Sequence, residues 1–266
     1  MSAPGPSLVP AASPAPSGGA GWGVIAAGLV LAVVLALRLA GLAFNGALSS
    51  DALYSQVFAA DLLAGRYPSS GWSFCGAPYF FPDVLAYGWV LASMGLGGIG
   101  LAFYVAGYAV AWVVLVAACA RWWAGCRPLV AWLAGVLVVN AALLLQFLPQ
   151  HVPVLWLLPQ PNFHGGALLT GLALVALAGR IIGEPPSSRR ILALTGAVLG
   201  LGLLSDSLLL VQFVMPLGTV IWWLERRGGA RPGSARCWTA LGGFALGGVA
   251  LTRFGMWLAD WGYYYA

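Results

Sequence analysis

WGVIAAGLVLAVVLALRLAGLAF, residues 22–44, decides the fold class of this chain. The run contains a single charge, Arg38, and it is longer than the about 20 apolar residues that a helix needs to cross a membrane. Comparable apolar runs follow at about 84–120, 129–148, 164–179, 191–204, 208–224 and 238–258. The chain is 61% hydrophobic and 7% charged, whereas soluble domains carry about 25% charged residues. We therefore expect an all-α, polytopic transmembrane bundle of seven or eight spans.

The number of spans depends on residues 84–120, which allow two interpretations. As a straight helix this run would be about 55 Å long, too long for one span and short for two. One crossing with an in-plane or re-entrant beginning gives seven spans and keeps every arginine-containing connector on one side. Two crossings give eight spans and place Arg121 and Arg127 on the opposite side.

Charge segregation predicts the orientation. The net charge of +5 comes from arginine alone, since the chain has no lysine. Nine of the twelve arginines lie in three short connectors, around residues 121–127, 180–190 and 226–236. The positive-inside rule places these connectors and the N-terminus in the cytoplasm. The opposite, outer face then receives five of the seven acids, both histidines and a loop at 45–83. Arginines confined to such connectors do not indicate nucleic-acid binding.

The distribution of residue types along the chain predicts a tail and one domain. Residues 1–20 are rich in proline, alanine, serine and glycine, and we expect a disordered tail. Residues 21–266 are expected to form one transmembrane domain. The four cysteines show no CxxC spacing and the histidines no HxxxH spacing, so no metal site is predicted.

The outer loop contains the segment SSDALYSQVFAADLLAGRYPSSGWSFCGAPYFFPD, residues 49–83, with three acids. Its first part predicts a helix at 51–64 lying at the membrane interface, with Asp51 in the first turn. Asp51 is either a favourable N-terminal acid or a functional residue. Asp61 and Arg66 suit a surface ion pair, and Asp83 is expected to cap the next helix.

Asp206 is the second acid with a functional interpretation. The apolar run before it, residues 191–204, would form about 21 Å of helix, shorter than the about 30 Å hydrocarbon core. Ser205, Asp206 and Ser207 should therefore lie below the outer surface, where an acid usually faces a wet cavity or a partner. The alternatives are a polar contact between helices and a tight hairpin in a thinned bilayer.

Three further residues are candidates for binding. His164 precedes Gly165 and Gly166, which permit close approach of a ligand or another backbone, although a structural histidine also fits. Arg38 and Arg253 each lie a few residues from the outer end of an apolar run. They either act on an anionic group, such as a lipid phosphate, or extend to the interface.

The order of these features resembles the GT-C superfamily of membrane glycosyltransferases that use polyprenyl-phosphate-linked sugars. The string DALYSQVFAADLLAGRYP, residues 51–68, is similar to the segment after helix 1 in the bacterial mannosyltransferase-like branch. FPD at 81–83 and SDSLLLVQFVMP at 205–216 are similar to uncharacterised bacterial members. Many members carry two adjacent acids where this chain has Asp51 and Ala52, and members tend to be longer.

The resemblance implies a function and one site residue, Asp51. The protein would transfer a sugar from a polyprenyl-phosphate carrier to an acceptor at the outer face of a bacterial plasma membrane. Asp51 would be the general base for the acceptor hydroxyl. The other substrate-binding candidates come from their positions described above and not from the resemblance. His164 and Asp206 would line the cavity, and Arg38, Arg66 or Arg253 would offset the charge of the carrier phosphate. The resemblance specifies no cofactor.

Two other function classes are compatible with the composition. The first is a non-enzymatic polytopic protein that binds lipid or assembles with partner helices, supported by the abundant glycine and alanine. The second is a secondary transporter, which would require paired acids within spans or an inverted repeat. The sequence contains neither of these transporter features.

Overall fold

The computed structural model describes residues 19–46, 50–65, 80–95, 98–147, 165–183, 189–230 and 232–258. These residues form helices and connecting turns, with no strand among them. The helices are α1 (Gly19–Gly46), α2 (Ser50–Leu63), α3 (Leu85–Met94), α4 (Gly98–Trp123), α5 (Pro128–Leu145), α6 (Gly166–Gly183), α7 (Arg189–Ser205), α8 (Met215–Arg226) and α9 (Ser234–Leu258). A kinked turn at Phe80–Val84 precedes α3, and a π-helical turn at Leu210–Val214 precedes α8. The expected all-α class is confirmed, and the predicted tail lies outside the described residues.

Three described helices are long and apolar enough to cross a membrane. They contain the stretches Gly21–Gly41, Ile99–Trp123 and Pro128–Leu145. α6 and α7 are apolar but shorter. The expectation of a membrane protein is therefore supported by three helices of crossing length.

Helices α1, α4 and α5 pack together through small residues. A β-carbon at Gly28 of α1 would collide with Val136 of α5. The side-chain amide of Asn140 donates to Gly28 O at 2.9 Å and to Val136 O at 2.8 Å. Small residues let helix backbones approach closely where lipid provides no hydrophobic driving force for association.

The backbones of α4 and α5 approach each other closely at Gly135. A β-carbon at Gly135 would lie 2.6 Å from the carbonyl oxygen of Val113 and 3.2 Å from the β-carbon of Ala117. A backbone oxygen cannot rotate away as a side chain can. We expect Gly135→Ala to lower the free energy of unfolding by about 1–3 kcal/mol, measured by thermal denaturation in detergent.

Gly200→Ala is the matched control, because no atom lies within 4 Å of the β-carbon position at this glycine of α7. There the alanine should raise stability by about 0.5–1 kcal/mol through lower backbone entropy in the unfolded chain. Equal stability of the two variants would contradict the close α4–α5 contact.

Residues 84–120, for which the sequence left two interpretations, form one short helix and one long helix. α3 has 10 residues, about 15 Å and too short to cross. The residue that caps the C-terminal end of α3 is Gly95, which has a φ of 75°. Residues other than glycine rarely adopt this backbone conformation. α4 has 26 residues, about 39 Å and long enough to cross. The region therefore contributes one helix of crossing length.

The contacts fix the relative directions of the helices. α1 runs parallel to α5, because Gly21 lies against Leu129 as Gly28 lies against Val136. α4 runs parallel to α6. Tyr104 and Gly166, near the starts of the two helices, both contact Asp83, whereas Trp123 at the end of α4 lies against Gly179 near the end of α6. One end of the bundle therefore contains the starts of α4 and α6 and the ends of α1, α5 and α7. This end is called the Asp83 end below, and the opposite one the arginine end.

Helices α6 to α9 form a second packed group. Its core contains Leu174, Leu199, Leu209, Ile221 and Trp238, all buried. The Trp238 indole also donates to Val214 O at 3.2 Å, linking α9 to the π-helical turn.

The predicted helix at 51–64 is present as α2, Ser50–Leu63. Phe58 and Ala59 of this helix are buried against Val84 and Tyr87. α2 therefore packs against the segment that contains Asp83.

Candidate functional site

Two strings that stand out in the sequence, FPD and SDS, meet with the start of α6 at the Asp83 end. The backbone N–H of Phe81 donates to Ser205 Oγ at 2.6 Å, joining FPD to the SDS string. This bond is possible because Phe81 is extended, with φ −128° and ψ 133°, and so leaves the helical path. Gly166 at the start of α6 packs on the same segment, where a β-carbon would collide with Asp83 and Pro82. Residues distant in the sequence thus enclose Asp83.

Asp83 is the most enclosed acid among the described residues. Its side chain is 1% exposed. The Tyr104 hydroxyl donates to Asp83 Oδ1 at 2.9 Å. Oδ2 is buried and has no hydrogen-bond partner among the described residues. A buried ionised carboxylate with one hydrogen bond is energetically costly, which favours the neutral acid.

The protonation state of Asp83 follows from this burial. The residue lies outside the three helices of crossing length. Burial raises the pKa of its carboxyl from 3.8 to about 8, and the hydrogen bond from Tyr104 opposes the rise. At neutral pH the carboxyl is therefore mainly protonated and can donate a hydrogen bond or release a proton to a nearby base.

Tyrosines surround this carboxyl. The Tyr87 ring meets the Tyr104 ring edge-on, with centroids 5.4 Å apart, and the Tyr108 ring centroid lies 6.0 Å from that of Tyr104. The Tyr108 hydroxyl is buried with no hydrogen-bond partner among the described residues. Two polar atoms that could bind a ligand, this hydroxyl and Asp83 Oδ2, are therefore available in one buried cluster.

A groove of about 220 Å³ opens beside the cluster, between α3, α4 and α6. Its walls are mainly apolar and include Pro82, Ala86, Trp89, Phe103, Tyr104 and Leu169. Trp89 and Phe103 are exposed, as expected of side chains that face lipid. The groove connects the buried tyrosines to the outside of the bundle.

Asp206 lies at the same end but has a defined structural contact. It is 2% exposed, and its Oδ1 accepts the backbone N–H of Leu208 at 2.9 Å. Its own N–H donates to Gly202 O at 2.8 Å. Asp206 therefore caps the segment that follows α7, as in the tight-hairpin alternative. A role in substrate binding stays a prediction.

The structure describes only some of the other predicted site residues. Arg38 is exposed and lies eight residues before the last residue of α1, and Arg253 is half-buried five residues before the last residue of α9. Asp51 lies in the first turn of α2, but its side chain is outside the described part of the chain. Arg66 and His164 lie wholly outside it. Their convergence on one cavity stays a prediction.

The expectation that Asp83 caps a helix is wrong. The N-terminal capping position of α3 is Val84, with no side-chain cap, and Asp83 instead bonds to Tyr104 of α4. The sequence contained one signal for this arrangement. Tyr104 and Tyr108 lie four residues apart and therefore on one face of an otherwise apolar helix, which indicates a buried polar contact.

Metal binding has no support within the described ranges, where no three histidine, cysteine or acidic side chains lie close enough together to hold an ion. The three described cysteines, Cys119, Cys126 and Cys237, are free thiols.

Comparison with family models, curated proteins and solved structures gave no match. The functional assignment therefore depends on the residues and their geometry.

Proposed function

We propose that this protein is a GT-C-like membrane glycosyltransferase. It transfers a sugar from a polyprenyl-phosphate carrier to an acceptor on the outer face of a bacterial plasma membrane. The observation that carries the proposal is the meeting of the FPD and SDS strings around a buried carboxyl, at the end of the bundle where α2 brings Asp51. These strings and the Asp51 segment are the parts of the chain that resemble the family.

The reaction forms one bond and breaks one. The acceptor oxygen attacks the anomeric carbon, and the bond between that carbon and the phosphate oxygen breaks. The polyprenyl phosphate leaves with the bonding electrons, and Asp51 takes the proton of the acceptor hydroxyl. Attack opposite to the leaving group inverts the anomeric configuration.

Five further residues complete the proposed site. Arg38, Arg66 or Arg253 offsets the charge of the carrier phosphate. His164 and Asp206 line the cavity. The groove between α3 and α4 provides an apolar surface for the hydrocarbon chain of the carrier.

The proposed topology is the seven-span alternative, with the N-terminus in the cytoplasm and residues 45–83 outside. Helices α4, α6 and α8 end, and α5, α7 and α9 begin, at the connectors that contain most of the arginines. This arrangement supports a cytoplasmic arginine end under the positive-inside rule. α6 and α7, with 18 and 17 residues, are about 26 Å long and would cross a locally thinned bilayer.

Donor turnover tests the proposal. Membranes containing the full chain, supplied with polyprenyl-phosphate hexoses such as the mannose form, should release free polyprenyl phosphate and move the sugar to an endogenous acceptor. The release should exceed that of matched membranes without the chain. Absence of turnover across a panel of hexoses would contradict the proposal. It would favour the alternative of a non-enzymatic protein that binds lipid or assembles with partner helices.

A further inference from the structure

The arginine end contains an open groove of about 770 Å³, remote from Asp83. It lies between the last turn of α8 and the first turns of α9. Its lining includes Trp222, Glu225, Arg226, Ala235, Arg236 and Thr239. Neither the proposed reaction nor its substrate contacts involve this groove.

An arginine–tryptophan stack forms one wall of the groove. The guanidinium carbon of Arg226 lies 4.4 Å from the centroid of the Trp222 ring. Stacking orients the guanidinium over the ring face while its N–H groups point outward in their own plane, where they can bind an anion. Trp222 is 49% exposed, so the ring also offers apolar surface to a ligand.

The acid in the groove offsets only one of the two positive charges of Arg226 and Arg236. Glu225 Oε1 accepts the N–H of Gly233 and Oε2 accepts the N–H of Ala235, both at 2.7 Å. These hydrogen bonds, led by that of Ala235, lower the pKa of Glu225, as does the nearby Arg236. The carboxylate is thus held against the start of α9, and the groove keeps a net positive charge.

The surroundings indicate which anion can reach the groove. Trp222 and its neighbour Trp223 are both exposed, and exposed tryptophans at the end of a transmembrane bundle are typical of the membrane–water interface. At that depth the abundant anions are lipid phosphates. A phosphodiester headgroup presents oxygens for guanidinium N–H groups and a glycerol portion for the indole ring.

We propose that this groove binds the phosphate of an anionic phospholipid. Arg226 and Arg236 donate to the phosphate oxygens, and Trp222 packs against the glycerol. No bond is formed or broken, so the site holds a structural or regulatory lipid.

Native mass spectrometry of the full chain in detergent tests this proposal. The protein is incubated with equal amounts of phosphatidylglycerol and phosphatidylcholine that have identical acyl chains. The wild type should retain phosphatidylglycerol preferentially. Arg226→Gln combined with Arg236→Gln should weaken its retention roughly thirtyfold, since each arginine near anionic lipid contributes about a fivefold effect.

Arg227→Gln is the matched control. Arg227 is adjacent to Arg226, and its guanidinium carbon lies 4.5 Å from the centroid of the Trp223 ring, but Arg227 does not line the groove. The Arg227→Gln variant should retain phosphatidylglycerol nearly as the wild type does. Arg226→Gln alone should weaken retention about fivefold. An equal loss in Arg227→Gln would show diffuse attraction and overturn the site.

Two further results would overturn the assignment of the ligand. Equal retention of the two lipids by the wild type would exclude headgroup selection. Displacement of phosphatidylglycerol by millimolar inorganic phosphate would indicate a site for a soluble phosphate. Both measurements are independent of sugar transfer, so failure of the proposed reaction leaves this test intact.

Discussion

Asp51→Asn is expected to reduce the rate of sugar transfer by about 10²- to 10⁴-fold, the usual contribution of a general base. The amide keeps the size of the carboxylate but cannot accept the proton that the acceptor hydroxyl loses. Because this proton moves during the chemical step, kcat should fall while the KM for the carrier changes little. Release of polyprenyl phosphate, measured over a range of carrier concentrations, separates the two effects.

Asp61→Asn is the control for this substitution. Asp61 lies ten residues further along α2 and has no assigned step in the reaction. Its asparagine variant should transfer sugar at a rate close to that of the wild type. Undiminished transfer by Asp51→Asn would exclude Asp51 as the base.

The Asp83 carboxyl is expected to make the stability of the fold depend on pH. The usual pKa of this carboxyl is 3.8, and below that pH it is protonated in both the folded and the unfolded chain. Between pH 3.8 and about pH 8, the carboxyl loses its proton in the unfolded chain but keeps it in the folded chain. Stability should therefore fall as pH rises through this window, by up to about 1.4 kcal/mol per pH unit.

Asp83→Asn should remove this dependence, because an amide does not titrate. Thermal unfolding, followed by tryptophan fluorescence in detergent from pH 5 to 9, measures the difference between variant and wild type. Asp83→Asn should be no more stable than the wild type at pH 5 and clearly more stable at pH 9. A difference that is constant over this range would contradict a protonated, buried Asp83.

Tyr104→Phe gives an independent check on the same carboxyl. It removes the hydroxyl that donates to Asp83 Oδ1 and changes little else in side-chain volume. Since this bond lowers the pKa of Asp83, its loss should make the ionised form still less favourable. The decline in stability should then continue to a higher pH than in the wild type.

The sequence alone determined the class of the protein and several elements. The length and apolarity of residues 22–44 were sufficient to predict α1, because a helix in lipid must form its backbone hydrogen bonds internally, whatever its neighbours are. The helix at 51–64 was found from a local pattern and a capping serine. The arginines marked the helix ends at one end of the bundle, since charge is excluded from the hydrocarbon core.

Only the tertiary structure decided how residues 84–120 divide and where Asp83 lies. The first depended on the positive φ of Gly95, one backbone angle within a uniformly apolar run. The position of Asp83 depended on three different helices: Tyr104 and Gly166 contact Asp83 itself, and Ser205 accepts the backbone N–H of Phe81 in the same segment. In water, the apolar face of a helix shows which side is buried. In a membrane both lipid and core are apolar, so the sequence carries no such pattern, and packing alone selects which polar residues meet.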